Sequence, residues 1–318
     1  MSARWFSATS LAVLAIATLG AALAQGPLAL ALCLALYGPA SGCALSVAEG
    51  LLVESDGASR ERSMARVTLA AALGDLAVPA LLALLAALGL GWRTALALAA
   101  AVAALLALFY AGARALDRPL AKENDEDEGD APTISGALAL ALRTRPLLAW
   151  SLAGTLTGLL DEVLVAFAAI HLAGLSALAR SVALAAWIGG GIVGLAWLER
   201  RVERLDPQRV LLLGTVVCAA AILGLARTHD AAPACGLLAL IGATSSTFHP
   251  LVKARAYASL PGRPALVNAV ASALVPLDAL APLVLGAIAV HFGASAAVMA
   301  LVIAPAGIFV MAWVRPAP

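Results

Sequence analysis

Apolar residues run along this chain in long uninterrupted blocks, and polar residues are confined to short connections between them. The blocks lie near residues 5–25, 28–53, 66–90, 93–113, 147–172, 178–198, 209–227, 232–252, 265–290 and 294–314. A bilayer core of about 30 Å takes about 20 helical residues to cross. The pattern therefore predicts ten membrane-spanning helices. A transmembrane barrel would show short alternating segments, and none is visible. Pro79, Pro250, Pro276 and Pro282 fall inside the blocks, which membrane helices tolerate where neighbours satisfy the freed carbonyls.

The blocks are also repeated. Residues 5–115 read as an incomplete copy of residues 208–315. At an offset of 204, Leu19 and Gly20 fall on Leu223 and Gly224, Gly38 on Gly242, and Ser41 on Ser245. An offset of 203 pairs Arg60 with Arg263, Val67 with Val270, Asp75 with Asp278 and Pro79 with Pro282. Ordered Gly, Arg, Asp and Pro matches carry weight because each answers a backbone or charge requirement that apolar filler does not impose. The blocks near 147–172 and 178–198 have no counterpart in the first half. Repeated apolar halves are a mark of secondary transporters.

Composition agrees with a lipid solvent: 63% of residues are hydrophobic, 12% are charged, and the mean hydropathy is +0.97. A soluble domain has about a quarter of its residues charged. Cys33, Cys43, Cys218 and Cys235 all sit inside apolar runs at no metal-like spacing, so they read as small packing residues. The net charge of +1 conceals a one-sided distribution. Alternate connections hold Arg4, then Arg60, Arg62 and Arg66, then Arg114, Arg118, Lys122, Arg143 and Arg145. The series continues with Arg200, Arg201, Arg204 and Arg209, with Lys253, Arg255 and Arg263, and with Arg315. These are 17 of the 20 basic residues, and only Arg93, Arg180 and Arg227 fall on the other side. The positive-inside rule then places both termini in the cytoplasm, in a plasma or inner membrane. One rival concerns the first block, where Arg4, an apolar run and Ala22-Leu23-Ala24 look like a secretory signal with its cleavage site. Its pairing with the block near 209–227 argues for a retained helix.

Residues 117–145 divide the chain. Glu123 to Asp130 is too polar to bury and predicts a solvated cytoplasmic linker, with a short surface helix near Ile134–Leu142. The expected domains are a four-helix bundle over 1–116, the linker over 117–145, and a six-helix bundle over 146–318. The fold class is all-α, two pseudo-symmetric membrane bundles of four and six helices.

Both matched sets start from the cytoplasmic side, which makes the repeat parallel. On these grounds the chain resembles the major facilitator superfamily, whose twelve helices form two six-helix bundles joined by a cytoplasmic linker. Glu199-Arg200-Arg201-Val202-Glu203-Arg204 stands where that family keeps a basic loop after the second helix of a half. Arg60-Glu61-Arg62-Ser63-Met64-Ala65-Arg66 is similar to the loop after its fourth helix. Leu260-Pro261-Gly262-Arg263, followed by Val267-Asn268-Ala269, is similar to the equivalent loop of the second half. The resemblance maps the chain onto the family's third to twelfth helices, with the first two and the loop after them absent. It implies that the first, fourth, seventh and tenth helices of the family line a central cavity, so that this chain lacks one of four walls.

Charges within the bilayer mark candidate function, because they are costly there. Asp161 and Glu162 lie near the middle of the helix that resembles the family's seventh. At about 100° per residue they cannot share a face. Glu162 is expected to stack with Ser151, Thr155 and Gly158, and Asp161 with Gly154 and Thr157. Desolvated carboxylates exchange protons near neutrality, and hydrogen bonding between helices is the plainer use. His249, on a face with Gly242, Ser245 and Ser246, suits substrate binding or proton relay, with helix packing as the alternative. Glu49 and Lys253 are equivalent positions of opposite charge and read as partners in an inner gate, or else as two snorkelling end residues. Asp75 and Asp278, each four residues before a proline, read as structural. Gly189-Gly190-Gly191-Ile192-Val193-Gly194 has the dinucleotide-binding spacing but no strand before it. Close helix approach through Gly190 and Gly194 explains it better.

The sequence thus predicts a non-enzymatic secondary transporter that moves a small, amphipathic or hydrophobic molecule by alternating access. Protons are the expected coupling ion, because unwound carbonyl-rich segments suited to sodium are not apparent. No cofactor, metal or nucleic-acid partner is expected. The rival is a truncated, non-transporting membrane protein, or a subunit whose bundle is completed by another copy or a partner chain. A start codon upstream of Met1 is the third reading.

Overall fold

The structure, a computed structural model, describes residues 2–55, 60–113, 143–261 and 263–314. All but the last three residues of the expected linker at 117–145, and the surface helix near Ile134–Leu142, lie outside the described residues. The elements are α1 (Ala3–Leu23), α2 (Pro27–Ser55), α3 (Arg60–Ala87), α4 (Trp92–Gly112), α5 (Arg145–Gly158), a π turn (Leu159–Val163) and α6 (Leu164–His171). They continue with α7 (Ala177–Arg201), a 3₁₀ turn (Val202–Arg204), α8 (Pro207–Leu225), α9 (Ala231–Ser259), α10 (Pro264–Phe292), α11 (Ala294–Ala300) and α12 (Ile303–Val314). The Ala- and Leu-rich runs favour helix throughout. Among the described residues, eight spans are long and apolar enough to cross a membrane. These are α1, α2, α4, α5 with the π turn and α6, α7 with its 3₁₀ turn, α8, α9, and α11 with α12. The other two predicted blocks, α3 and α10, form helices of 28 and 29 residues.

The described residues fall into two compact units, one from residues 2–55 with 74–113, the other from residues 60–73 with 143–261 and 263–314. The division falls inside α3. In the first unit α1 packs on α2 and α4. The contact is built from small side chains, with Ala8, Ala17, Ala21 and Ala22 of α1 and Ala100, Ala103 and Ala107 of α4 buried. Small residues let membrane helices approach closely, where lipid supplies no hydrophobic drive between them.

In the second unit α9 is central, packed on α7, α8 and α5, while α5 also packs on α10 and α12. Leu211, Ile222, Leu238, Ile241, Phe248, Ala304 and Ile308 are fully buried in it. Capping defines several ends. Ser176 accepts from the Ala179 amide, and Asp206 accepts from the Gln208 amide ahead of Pro207, occupying donors that the first helical turn leaves orphaned. Outward-facing apolar side chains are abundant; Leu178 is 76% exposed, Val290 82% and Phe292 76%. Such surfaces suit lipid rather than water.

The repeat recurs element by element. At the 204 offset, α1, α2 and α3 begin at the positions equivalent to the starts of α8, α9 and α10: Ala3 and Pro207, Pro27 and Ala231, Arg60 and Pro264. The turn into α4 passes through Gly89 at φ 73°, and the turn into α11 through Gly293 at φ 89°, again 204 apart. Only glycine takes that left-handed conformation without a Cβ penalty. A Cβ added at Gly20 would sit 2.8 Å from Cys33 Sγ, and one at the equivalent Gly224 would sit 3.1 Å from Leu237 Cδ2, at the position equivalent to Cys33.

Candidate functional site

The helix carrying the paired acids is not regular. Arg145 and Pro146 open α5, with proline where its missing N–H is harmless. The helix then widens into the π turn at Leu159–Val163, and Asp161 takes a non-helical φ of −100° and ψ of −108°. The Leu164 amide faces the carbonyls of both Asp161 and Leu159. A wheel of 100° per residue does not hold across this turn, which corrects the expected stacking of Asp161 on Thr157 and Glu162 on Gly158. It also corrects the premise that this segment is uniformly wound. Leu160 and Leu164 are buried, whereas the side chains of Asp161 and Glu162 are exposed on the chain. π turns recur at functional sites because they re-aim side chains and disturb backbone pairing.

One turn before the acids, Thr157 is buried. Its hydroxyl donates to the Gly154 carbonyl at 2.6 Å, and His249 Nδ1 of α9 lies 3.4 Å from the same oxygen. His249 is otherwise exposed. Ser245, one turn earlier on α9, is buried, and so is Ser151 on α5. Neither Oγ has a hydrogen-bond partner among the described residues. The polar face predicted on α9 therefore divides. Ser246 donates to the Gly191 carbonyl of α7 at 3.1 Å, and a Cβ on Gly242 would strike the Trp187 carbonyl. Those two residues serve packing, and His249 with Thr157 forms the polar pair between α9 and α5.

Of the other candidates, Glu49 is 4% exposed on α2 of the first unit, and Lys253 is half-buried on α9 of the second. Asp75 is exposed on α3, and Asp278 lies within α10. Cys33, Cys43, Cys218 and Cys235 are free thiols.

Three polar clusters in the second unit escaped sequence reasoning. Arg62 Nε and Arg66 Nε meet Glu199 Oε1 at 3.3 and 3.0 Å, and Arg62 Nη1 meets Glu203 Oε1 at 2.6 Å. Arg62 precedes the apolar part of α3, and its hydrogen bonds to Glu203 and Glu199 raise its pKa from the ordinary guanidinium value. Arg255 is buried, with its guanidinium 5.2 Å from the Trp150 ring centre and Nη1 3.0 Å from Gln208 Oε1. His171 is buried at the end of α6, its Nε2 2.9 Å from both the Leu225 and Thr228 carbonyls and its Nδ1 3.2 Å from Ser295 Oγ. The first cluster had a signal in the opposite charges of two loops already singled out. The other two had none, since each joins residues far apart in sequence.

The model of the Major Facilitator Superfamily matches residues 1–275. No curated protein sequence matches the chain. Among solved structures, the fucose:proton symporter FucP of E. coli superposes with a TM-score of 0.76 at 15% identity, covering 98% of this chain and 83% of that one. FucP in an outward conformation gives 0.79 at 16% identity, covering 99% and 83%. The human organic anion transporter MFSD10 (TETRAN) gives 0.73 at 16% identity, covering 98% and 77%. At these identities the likeness is one of fold.

Proposed function

Because the chain belongs to the Major Facilitator Superfamily, a family of secondary active transporters and not of enzymes, we propose that its second unit carries the coupling site. In this reading the protein moves a small amphipathic molecule by alternating access, with Asp161 and Glu162 carrying the coupling ion. His249 and Ser245 contact substrate. The helices α1 to α4 correspond to the family's third to sixth, and those from α5 onward to its seventh to twelfth. That gives ten spans in bundles of four and six, divided at 117–145. The observation that supports the site assignment is the π turn, whose two exposed carboxylates follow Thr157, the partner of His249, by four and five residues in the chain.

The test is proton flux in proteoliposomes with a trapped pH dye, under an imposed substrate library. Asp161→Asn and Glu162→Gln are each expected to lower coupled proton uptake at least tenfold. Uptake that is unchanged in both removes the coupling assignment. The non-helical backbone at Asp161 favours a second reading, sodium coupling, because displaced carbonyls are sodium ligands. A sodium gradient that drives uptake at constant pH decides for it.

The basic connections support cytoplasmic termini in an inner or plasma membrane. Tags at the two ends are expected to be reached only after the membrane is opened. A tag labelled on intact cells contradicts this orientation.

A further inference from the structure

The hydrogen of the Thr157 hydroxyl has a settled destination. Thr157 Oγ1 lies 2.6 Å from the Gly154 carbonyl oxygen, one turn back on the same helix, the habitual back-bond of threonine in a helix. What Thr157 Oγ1 offers to α9 is therefore a lone pair. His249 Nδ1 stands 3.4 Å from that oxygen, and two lone pairs do not attract. A neutral imidazole carries one hydrogen, on one of two nitrogens, and the bond made by one nitrogen sets the role of the other.

We infer that Thr157 is a positioning residue that holds neutral His249 with its hydrogen on Nδ1, leaving Nε2 as a bare acceptor. The inference rests on the functional reading only in calling that acceptor part of the transport site. Its consequence is a substrate class. Asp161 and Glu162 are acceptors when ionised, and His249 Nε2 is an acceptor, so this part of the site takes a ligand group that donates: a hydroxyl or an N–H on an otherwise apolar body. A proton adds at the same Nε2, which leaves the Nδ1–H···Thr157 bond intact. Proton and donor group then compete for one atom.

The experiment is ¹⁵N NMR of the full chain, labelled at the histidine imidazoles, in lipid nanodiscs at a pH where His249 is neutral. The His249 signals are assigned by their loss in His249→Asn. The wild type is expected to show protonated Nδ1 and lone-pair Nε2. Thr157→Val is expected to shift the ratio toward the other tautomer, and Thr157→Ser to restore it. A wild type with hydrogen on Nε2, or a ratio unmoved by Thr157→Val, overturns the inference. The substrate class is read with phenol and its methyl ether anisole, which have the same apolar ring but differ in the donor. Phenol is expected to shift the Nε2 resonance and anisole to leave it. Equal responses overturn the assignment of a donor ligand. The tautomer is read without transport, so a chain that fails every flux assay can still show it. A chain that transports with hydrogen on Nε2 keeps the functional reading and loses this one.

Discussion

Arg93 and His171 show how one helix junction can be tied by different side chains. In the first unit Arg93, near the start of α4, donates through Nη2 to the Ala24 carbonyl just beyond α1 at 2.7 Å. In the second unit the residue equivalent to Ala24 is Thr228 and that equivalent to Arg93 is Ala297, whose side chain cannot donate, so the polar residues at hand are Thr228 and, in the first turn of α11, Ser295. Neither reaches the other directly. His171 bridges them, with Nε2–H donating to the Leu225 and Thr228 carbonyls and Nδ1 accepting from Ser295. The Leu225 carbonyl, in the last turn of α8, accepts from the Thr228 amide at 3.2 Å as well as from the imidazole. Removing the imidazole deprives the Thr228 carbonyl and the Ser295 hydroxyl of this partner and leaves the Leu225 carbonyl with the Thr228 amide alone, at about 1 kcal/mol per lost bond. His171→Ala is therefore expected to lower the thermal midpoint measured in nanodiscs, and Ser295→Ala to lower it less. Equal stability of His171→Ala and wild type contradicts this role. Nothing at sequence level pointed to His171, because its partners come from three separate elements. His249 was legible because a polar stretch on one apolar helix is a local signal, while its partner Thr157 was legible only as a residue of α5.

At the level of the helix, the contact of α7 with α9 depends on absent side chains. A Cβ on Gly190 would run into the Ala239 carbonyl, and one on Gly194 into the Ala243 carbonyl. Gly189, in the same run, has nothing within 4 Å of an added Cβ. Backbone cannot yield as a side-chain tip can, so overpacking at Gly194 costs at least the usual 1–3 kcal/mol or thereabouts for added core methylenes, about one methyl forcing two helices apart. Gly194→Ala is expected to reduce folded yield and thermal midpoint, and Gly189→Ala to match the wild type or exceed it slightly through lower unfolded-state entropy. Similar losses from both would mean that general helix propensity, and not close approach, governs the run. The sequence spacing of Gly190 and Gly194 indicated this contact, since four residues return to one face of a helix. The π turn at Leu159–Val163 gave no such warning. Periodicity reports which faces are apolar, and an extra residue in a turn flanked by Leu159, Leu160 and Val163 leaves that apolar record unaltered.

Over the whole molecule, the long apolar runs made the membrane class readable, because lipid imposes them on the chain directly, and the ordered Gly, Arg, Asp and Pro matches made the repeat readable. The grouping of the start of α3 with the second unit was not readable, since which neighbours a helix end meets is a tertiary matter. Glu49 and Lys253 bring these levels together. They occupy equivalent positions, each six residues before the end of its helix, Ser55 in α2 and Ser259 in α9. One carries a carboxylate and the other an ammonium, so a duplicated structural duty does not explain both. We propose that they attract each other in one state of the transport cycle, with the two halves closing on that side and separating in the other. A charge attraction confined to one state shifts the balance between states by its own differential energy and no more. Glu49→Lys and Lys253→Glu are then each expected to bias the protein toward the state in which the two residues are apart, read as increased labelling of cysteines introduced on that side. The double exchange is expected to return labelling to the wild-type level. If the double variant is labelled as strongly as the singles, the two charges act independently at their helix ends, and a gate must be sought elsewhere.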